Sequence, residues 1–341
     1  LRAPAINCHS WLSATNRSCA LAALLEWAAP TRRLHAVALY DPYRATGLPV
    51  ESLVITKRSI FAGALSSAIT SCFACAKIFG QDDRIPVTGD FYNASGAICE
   101  MRSTNQNRLL IAIASGQVVR KRNLVVTAAH NVVSNGRARH QMDKLVFVLG
   151  NERRHQRYRV VETHFGTEDP ERNEPKDFVV FRLEQNVSSD INVMDFEESD
   201  NPEAELPSQL ALVSYHGDKG LVKQVSGGSI VTKPAQFCSR LSSSPQYRDK
   251  DLLIHSIDSV SGSSGGAIVS INPVRPAVPV VHAIHTGGVS AELFWGSEAN
   301  AEFDAACNFN FAVRVTGNQY FYKIFNDAAR ATQVQARNVL R

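Results

Sequence analysis

Three residues of this sequence could together carry out acyl transfer. Ser264 lies in Asp258-Ser-Val-Ser-Gly-Ser-Ser-Gly-Gly-Ala-Ile268, flanked by Gly262, Gly265 and Gly266. A serine hydroxyl is a weak nucleophile at neutral pH, so it needs a general base beside it and N–H donors aimed at the oxyanion it creates. Glycines permit the tight backbone that points such donors inward. Gly-x-Ser-x-Gly also occurs in ordinary surface loops, and its partners decide the reading. His130 ends the apolar run Leu124-Val-Val-Thr-Ala-Ala-His130, and Asp177 opens the strand-like run Asp177-Phe-Val-Val-Phe-Arg-Leu183. In such a set His130 takes the proton from Ser264 and returns it to the leaving amine. Asp177 holds the imidazole tautomer, and the N–H groups of Gly262 and Ser264 face the oxyanion.

The chain order His130, Asp177, Ser264, with Thr127-Ala-Ala-His130, Asp177-Phe-Val-Val and Gly262-Ser-Ser-Gly-Gly266, resembles the three signature blocks of chymotrypsin-fold (trypsin-like) serine endopeptidases. The resemblance covers roughly residues 95 to 318, where strand-like segments begin and stop. It is nearest to the bacterial glutamyl-endopeptidase-like branch, because the Ile-Val-Gly-Gly start and the many disulfides of animal trypsins are absent. It implies a serine endopeptidase working through an acyl-enzyme on protein or peptide substrates, monomeric, with no cofactor and no metal. Ser263 departs from the trypsin pattern, in which an aspartate before the nucleophile pairs with a freed N-terminal amine. A serine cannot form that ion pair.

The primary pocket carries two conflicting signals. Asp258 lies six residues before Ser264, where the resemblance to trypsins implies a carboxylate for Arg or Lys. Val281-His-Ala-Ile-His285-Thr-Gly-Gly288 resembles the pocket wall of glutamyl endopeptidases, in which a histidine at the position of His285 and a hydroxyl at that of Ser259 bind a carboxylate. An ionised Asp258 would repel the glutamate that His285 attracts, so Asp258 either bonds backbone N–H groups elsewhere or pairs with His285. Two features favour acidic specificity against one. The substrate-binding set is Asp258, Ser259, His285, Thr286, Gly287 and Gly288.

These residues need a scaffold of short strands. Leu109–Ile113, Gly116–Val119, Leu124–Thr127, Leu145–Leu149, Tyr158–Val161 and Phe178–Phe181 read as one antiparallel barrel. Leu210–Ser214, Gly228–Thr232, Leu252–His255, Ala267–Ser270, Val278–His282 and Phe311–Val315 read as a second, with Pro279 at the start or edge of its strand. The expected fold is therefore all-β: two antiparallel six-stranded β-barrels, at 96–200 and 206–318, joined by the acidic stretch Asp195–Glu205. Apolar spacing at Tyr320, Phe321, Ile324, Phe325 and Ala328 predicts a helix within a C-terminal helix and tail, 319–341. The site would lie between the barrels.

Upstream, residues 54–76 have a basic pair, an apolar stretch and the small-x-small end Ala74-Cys75-Ala76, the layout of a signal peptide. Translation would then begin near Val54, with 1–53 an upstream extension of unknown role and 77–95 a propeptide or surface arm. Ile69-Thr-Ser-Cys72 also resembles a lipobox, which would anchor the chain through Cys72. Either reading makes the protein exported, periplasmic or extracellular, with no transmembrane segment in the mature chain. Residues 1–76 hold seven Lys/Arg and three Asp/Glu, leaving 29 of the 36 basic and 29 of the 32 acidic residues in a neutral remainder. No basic run implies nucleic acid. Beyond the upstream cysteines, Cys99, Cys238 and Cys307 show no zinc spacing, and which pair would bond is not readable. Three other readings stay open: a non-catalytic binding module on the same fold, a protease held latent by 77–95, and an α/β-hydrolase esterase. The last lacks a histidine after Asp304.

Overall fold

The computed structural model describes residues 77–339, apart from 88–89, 104–107, 152–153, 202–204, 220–221, 240, 242–243, 272–277 and 291–301. The signal-peptide and lipobox expectations lie outside the described residues. Among the described residues, sixteen strands occur in chain order: β1 (Ile85–Pro86), β2 (Ser95–Ser103), β3 (Arg108–Val118), β4 (Leu124–Thr127), β5 (Val133–Ser134), β6 (Arg137–Ala138), β7 (Leu145–Asn151), β8 (Arg154–Phe165), β9 (Val179–Leu183), β10 (Leu210–His216), β11 (Val222–Gly228), β12 (Ile230–Val231), β13 (Leu252–His255), β14 (Ala267–Ile271), β15 (Pro279–Ser290) and β16 (Asn308–Arg314). One helix, α1 (Gln319–Val339), follows.

The fold is all-β with a C-terminal helix. Strands β2, β3, β4, β9, β8 and β7 close a six-stranded antiparallel barrel. The second set forms one antiparallel sheet in the order β1-β11-β10-β14-β15-β16-β13-β12, in which six longer strands are flanked by the two-residue strands β1 and β12. The first barrel reaches six strands by a different division from the expected one. Ser115 and Gly116 do not break the chain but sit inside β3, and β2 supplies the strand that the charged Glu100 and Arg102 disguised; these two pair with each other at 2.7 Å.

Strands β4 and β9 are buried along their whole length, which suits their continuous apolar character. One face lines the barrel core. Against β8 and β9 lies α1, whose Phe321 and Phe325 pack with Phe178 and Phe196. The Asn318 side chain accepts the Phe321 N–H at 2.9 Å and starts this helix as an N-cap. The acidic connection is less solvated at its beginning than its charge suggests, because Phe196 is buried beneath the Arg120 guanidinium and stacked on Tyr322.

Residues 77–87 are built into the second sheet. Ile85 and Pro86 pair with Val225 and Gln224 of β11. The Arg84 side chain, 1% exposed, forms ion pairs with Asp82 and Asp218 and donates to His216 Nδ1 at 2.8 Å. A buried guanidinium is tolerated only when its donors are met, and here two carboxylates and an imidazole meet them. Lys77 adds a two-way clasp: its N–H donates to Asn310 Oδ1, and its carbonyl accepts from Asn310 Nδ2, each at 2.9 Å.

Candidate active site

Strand register brings His130 and Asp177 to one rim of the closed barrel. Thr127, the last residue of β4, pairs with Val179, the first of β9. The chain leaves β4 through Ala128 into a 3-10 turn over Ala129–Asn131, and it enters β9 from another such turn over Glu174–Lys176. Because the two strands run antiparallel, His130 just after one and Asp177 just before the other meet. Asp177 Oδ2 lies 2.6 Å from His130 Nδ1, and Asp177 Oδ1 accepts the His130 backbone N–H at 2.8 Å. An ionised carboxylate only accepts, so the proton sits on Nδ1 and Nε2 is left bare as a base.

Ser264 occupies a turn that the first barrel holds by its backbone. Gly262 and Gly265 have φ of +94° and +84°, values that L side chains rarely adopt. Ser115, within β3, is the hub: its N–H donates to the Ser264 carbonyl at 3.0 Å and its hydroxyl to the Gly262 carbonyl at 2.9 Å. Thr127 Oγ1 donates to the Ser115 carbonyl at 2.6 Å, and Asn131 Nδ2 to the Ser264 carbonyl at 3.3 Å. Residues on both sides of His130 therefore hold the Ser264 turn, directly or through Ser115. Sequence reasoning missed Ser115, Thr127 and Asn131 in this role; their only signal was a polar residue inside or beside an apolar strand.

The Ser264 hydroxyl donates to the Thr286 carbonyl at 3.4 Å and makes no hydrogen bond to His130. The N–H groups of Gly262 and Ser264 have no acceptor among the described residues, whereas those of Ser263, Gly265 and Gly266 are used within the turn and by β15. Ser263 closes the turn locally, its hydroxyl donating to the Val260 carbonyl at 2.6 Å. The turn is thus shaped without the ion pair that a serine cannot make.

The residues expected around the primary pocket separate into two groups. Asp258 faces the N-terminal segment: Oδ1 accepts the Phe79 N–H at 2.7 Å and Oδ2 the Asp83 N–H at 3.3 Å. Burial pushes its carboxyl up to about 6, against the pull of those two N–H donors. It makes no bond to His285. Ser259 is wholly buried, with its N–H on the Lys77 carbonyl and its hydroxyl without a partner among the described residues.

His285 is tied to the Ser264 turn, its carbonyl accepting the Gly265 N–H at 2.7 Å and its N–H donating to the Gly266 carbonyl at 2.9 Å. The ring is buried, with Nδ1 3.1 Å from His255 Nε2 and Nε2 without a partner among the described residues. Burial first, and then the imidazoles of His255, His216 and His130, hold His285 well below the usual histidine range; burial, against the opposing pull of the Phe311 and Ile257 backbone, brings His255 to about 3. Burial favours the neutral form of both rings, and His255 is a partner of His285 that the sequence did not single out. Thr286 Oγ1 donates to the Phe311 carbonyl at 3.4 Å, while Gly287 and Gly288 pair with Phe311 and Asn310 on β16. The β14 ladder ends at Ala267 and Ile284, so the opposite edge of β15 has no strand partner from Thr286 onward among the described residues.

Among the described residues no group of His, Cys, Asp and Glu is placed to hold a metal, and no helix is long and apolar enough to cross a membrane. Residues 114–272 match the family model described as the trypsin-like peptidase domain, a span that includes His130, Asp177 and Ser264. Among solved structures, a Glu endopeptidase in complex with MPD is similar over 74% of this chain and 98% of its own, at 16% identity and a TM-score of 0.47. No curated protein sequence matches the chain.

Proposed function

We propose that this chymotrypsin-fold peptidase is an exported serine endopeptidase that cuts after acidic residues, with His130, Asp177 and Ser264 as its triad. The observation that carries the catalytic part is the bidentate hold of Asp177 on the ring and backbone of His130, beside a serine turn whose Gly262 and Ser264 N–H groups are left free. In the acylation step Ser264 turns its hydroxyl from the Thr286 carbonyl toward His130 Nε2, gives up its proton there and attacks the substrate carbonyl. The developing oxyanion takes the two free N–H donors. The imidazolium, stabilised by Asp177, then protonates the leaving amine. Water repeats the sequence in reverse to free the acid product.

The open edge of β15 at Thr286, Gly287 and Gly288 suits an extended peptide added as a strand, which would register the scissile bond at Ser264. Acidic preference is supported by two facts about charge. The Asp258 carboxylate is spent on the Phe79 and Asp83 N–H groups, which removes the group that would attract Arg or Lys. His285 Nε2 and Ser259 Oγ are buried polar atoms still lacking partners, and such atoms are costly unless a ligand meets them. When His255 Nε2–H donates to His285 Nδ1, His285 carries its proton on Nε2 and offers it to a substrate carboxylate. Export rests on residues 54–76, outside the described residues.

Cleavage of a random peptide library by the full chain, with Ser264→Ala beside it, tests this reading. Cuts after Glu and Asp that vanish in the variant are expected. Cuts after Arg or Lys would return the pocket to Asp258, and no cleavage above the variant's background would leave a binding module on a peptidase fold.

A further inference from the structure

The three cysteines of the described chain are not equivalent. Cys99 is buried in the first barrel beside Tyr215, and burial pushes its thiol up to about 12. Cys238 and Cys307 are only part-buried and both lie in the second sheet's surroundings. Cys238 belongs to the segment between β12 and β13, where its N–H donates to the Ala306 carbonyl at 3.2 Å. Ala306 precedes Cys307 in the turn that leads into β16, and that turn is fixed by Cys307 N–H on the Asp304 carbonyl at 3.1 Å and Ala306 N–H on Asp304 Oδ1 at 2.8 Å. A carbonyl oxygen and the next Cα lie on the same side of a trans peptide. The hydrogen bond therefore sets the two cysteine Cα atoms at roughly 5–7 Å, the range that a disulfide spans. The two thiols are neighbours, and burial followed by the Cys238 thiol pushes that of Cys307 up to about 11.

We propose that Cys238 and Cys307 are an oxidisable pair that closes to a disulfide under mild oxidant, while Cys99 stays a thiol. A disulfide oxidant such as oxidised glutathione supplies the balance: one thiolate attacks its sulfur and releases a glutathione thiolate. The second cysteine displaces the other glutathione, so two protein thiols lose two hydrogens and two glutathione thiols gain them. The bond would fasten the segment carrying Phe237, Leu241 and Tyr247 to the start of β16, where the rings of Phe237 and Tyr247 pack on Phe309 and that of Tyr247 also on Phe311. Phe311 pairs with Gly287, and Val289 belongs to the same apolar cluster, so the cross-link stiffens the sheet behind the β15 edge. The ring it closes contains both Ser264 and His285. A thiol pair placed in this way suits a chain that folds in a reducing compartment and works in an oxidising one.

The full chain is equilibrated with oxidised and reduced glutathione or with dithiothreitol, alkylated with iodoacetamide, unfolded and digested, and its peptides are weighed. After glutathione, the Cys238 and Cys307 peptides are expected joined and lighter by two hydrogens, with Cys99 alkylated only after unfolding. The midpoint of thermal unfolding rises in the oxidised form and returns on reduction. Equal alkylation of Cys238 and Cys307 in both treatments overturns the proposal, as does either one bridged to Cys99 or to an upstream cysteine. A Cys99→Ser variant that lost the midpoint shift would overturn the pairing as well.

Discussion

Gly265→Ala tests whether the Ser264 turn is held by a fit of backbone against backbone. A Cβ at residue 265 would lie 2.1 Å from Thr127 Oγ1, 2.3 Å from the Ser115 carbonyl oxygen and 3.0 Å from the Ala128 N. Thr127 could rotate away, but only by giving up its bond to Ser115. The other two atoms are main chain, in β3 and at the end of β4, and cannot swing aside. Overpacking of this kind costs about 1–3 kcal/mol, and φ of +84° adds about 1–2 kcal/mol for a residue with a Cβ. The total of about 2–5 kcal/mol falls on the docked turn. If the barrels stay folded and the turn lifts, that cost enters the barrier to acylation and kcat/KM drops by about 30- to several thousand-fold. If the turn stays docked, the cost appears as lost stability. Steady-state cleavage of an acidic-residue peptide, with a thermal melt of the same sample, reads both. A variant unchanged in melting midpoint and within threefold in kcat/KM would refute the docking.

Asn131→Ala removes the amide that holds the Ser264 carbonyl from the His130 side. A hydrogen bond is worth about 0.5–1.5 kcal/mol, so kcat should fall by about 2- to 12-fold with KM unchanged; an unchanged kcat would deny Asn131 this part. Asp258→Asn keeps one acceptor but turns an amide N–H toward the second N–H donor of residues 79–83. Stability should drop by about 1–3 kcal/mol while the ratio of acidic to basic cleavage stays constant, and a shift in that ratio in the peptide-library assay would put Asp258 back in the pocket. Glu174 is buried, with Oε2 unpartnered among the described residues, and burial followed by the Asp177 charge raises its carboxyl from 4.5 to about 8. Between those values the unfolded chain gives up a proton that the native chain keeps. Stability therefore falls as pH rises through that window, by up to about 1.4 kcal/mol per pH unit, and levels off above pH 8. Glu174→Gln should be the more stable protein in urea at pH 8, with the gap closing toward pH 4.5; a gap that does not depend on pH sinks the assignment.

The candidate triad was more legible in the sequence than the scaffold that holds it. His130, Asp177 and Ser264 stand out because each sits at an abrupt change of character, where an apolar run meets a charge or glycines crowd a serine. The elements that hold them carry no such mark. Ser115 interrupts an apolar run and reads as a turn, yet it lies inside an eleven-residue strand and anchors the Ser264 turn. Strand β11, Val222-Lys-Gln-Val-Ser-Gly-Gly228, has little apolar content, and Gln224 and Ser226 are buried because β10 and the N-terminal segment flank it. Only partners distant in sequence make that strand sensible. The orientation of Asp258 was open for the same reason, since its partners lie 179 and 175 residues away. Periodicity reports on a residue's neighbours along the chain and is silent about such pairings.

The clasp between Lys77 and Asn310 joins positions 233 residues apart. A chain made from its N-terminus offers the 77–87 segment first, long before β11 or β16 exist to receive it. The closed barrel draws all its strands from within residues 95–183 and can assemble from what has already emerged. The opposite half must wait for the last strand, and loop-closure entropy makes that long-range meeting the slow step. Until it occurs, Lys77 lacks its Asn310 clasp and His285 has no β16 behind it. The order of synthesis thus builds in a delay, in which the half carrying His130 and Asp177 matures ahead of the half that carries Ser264.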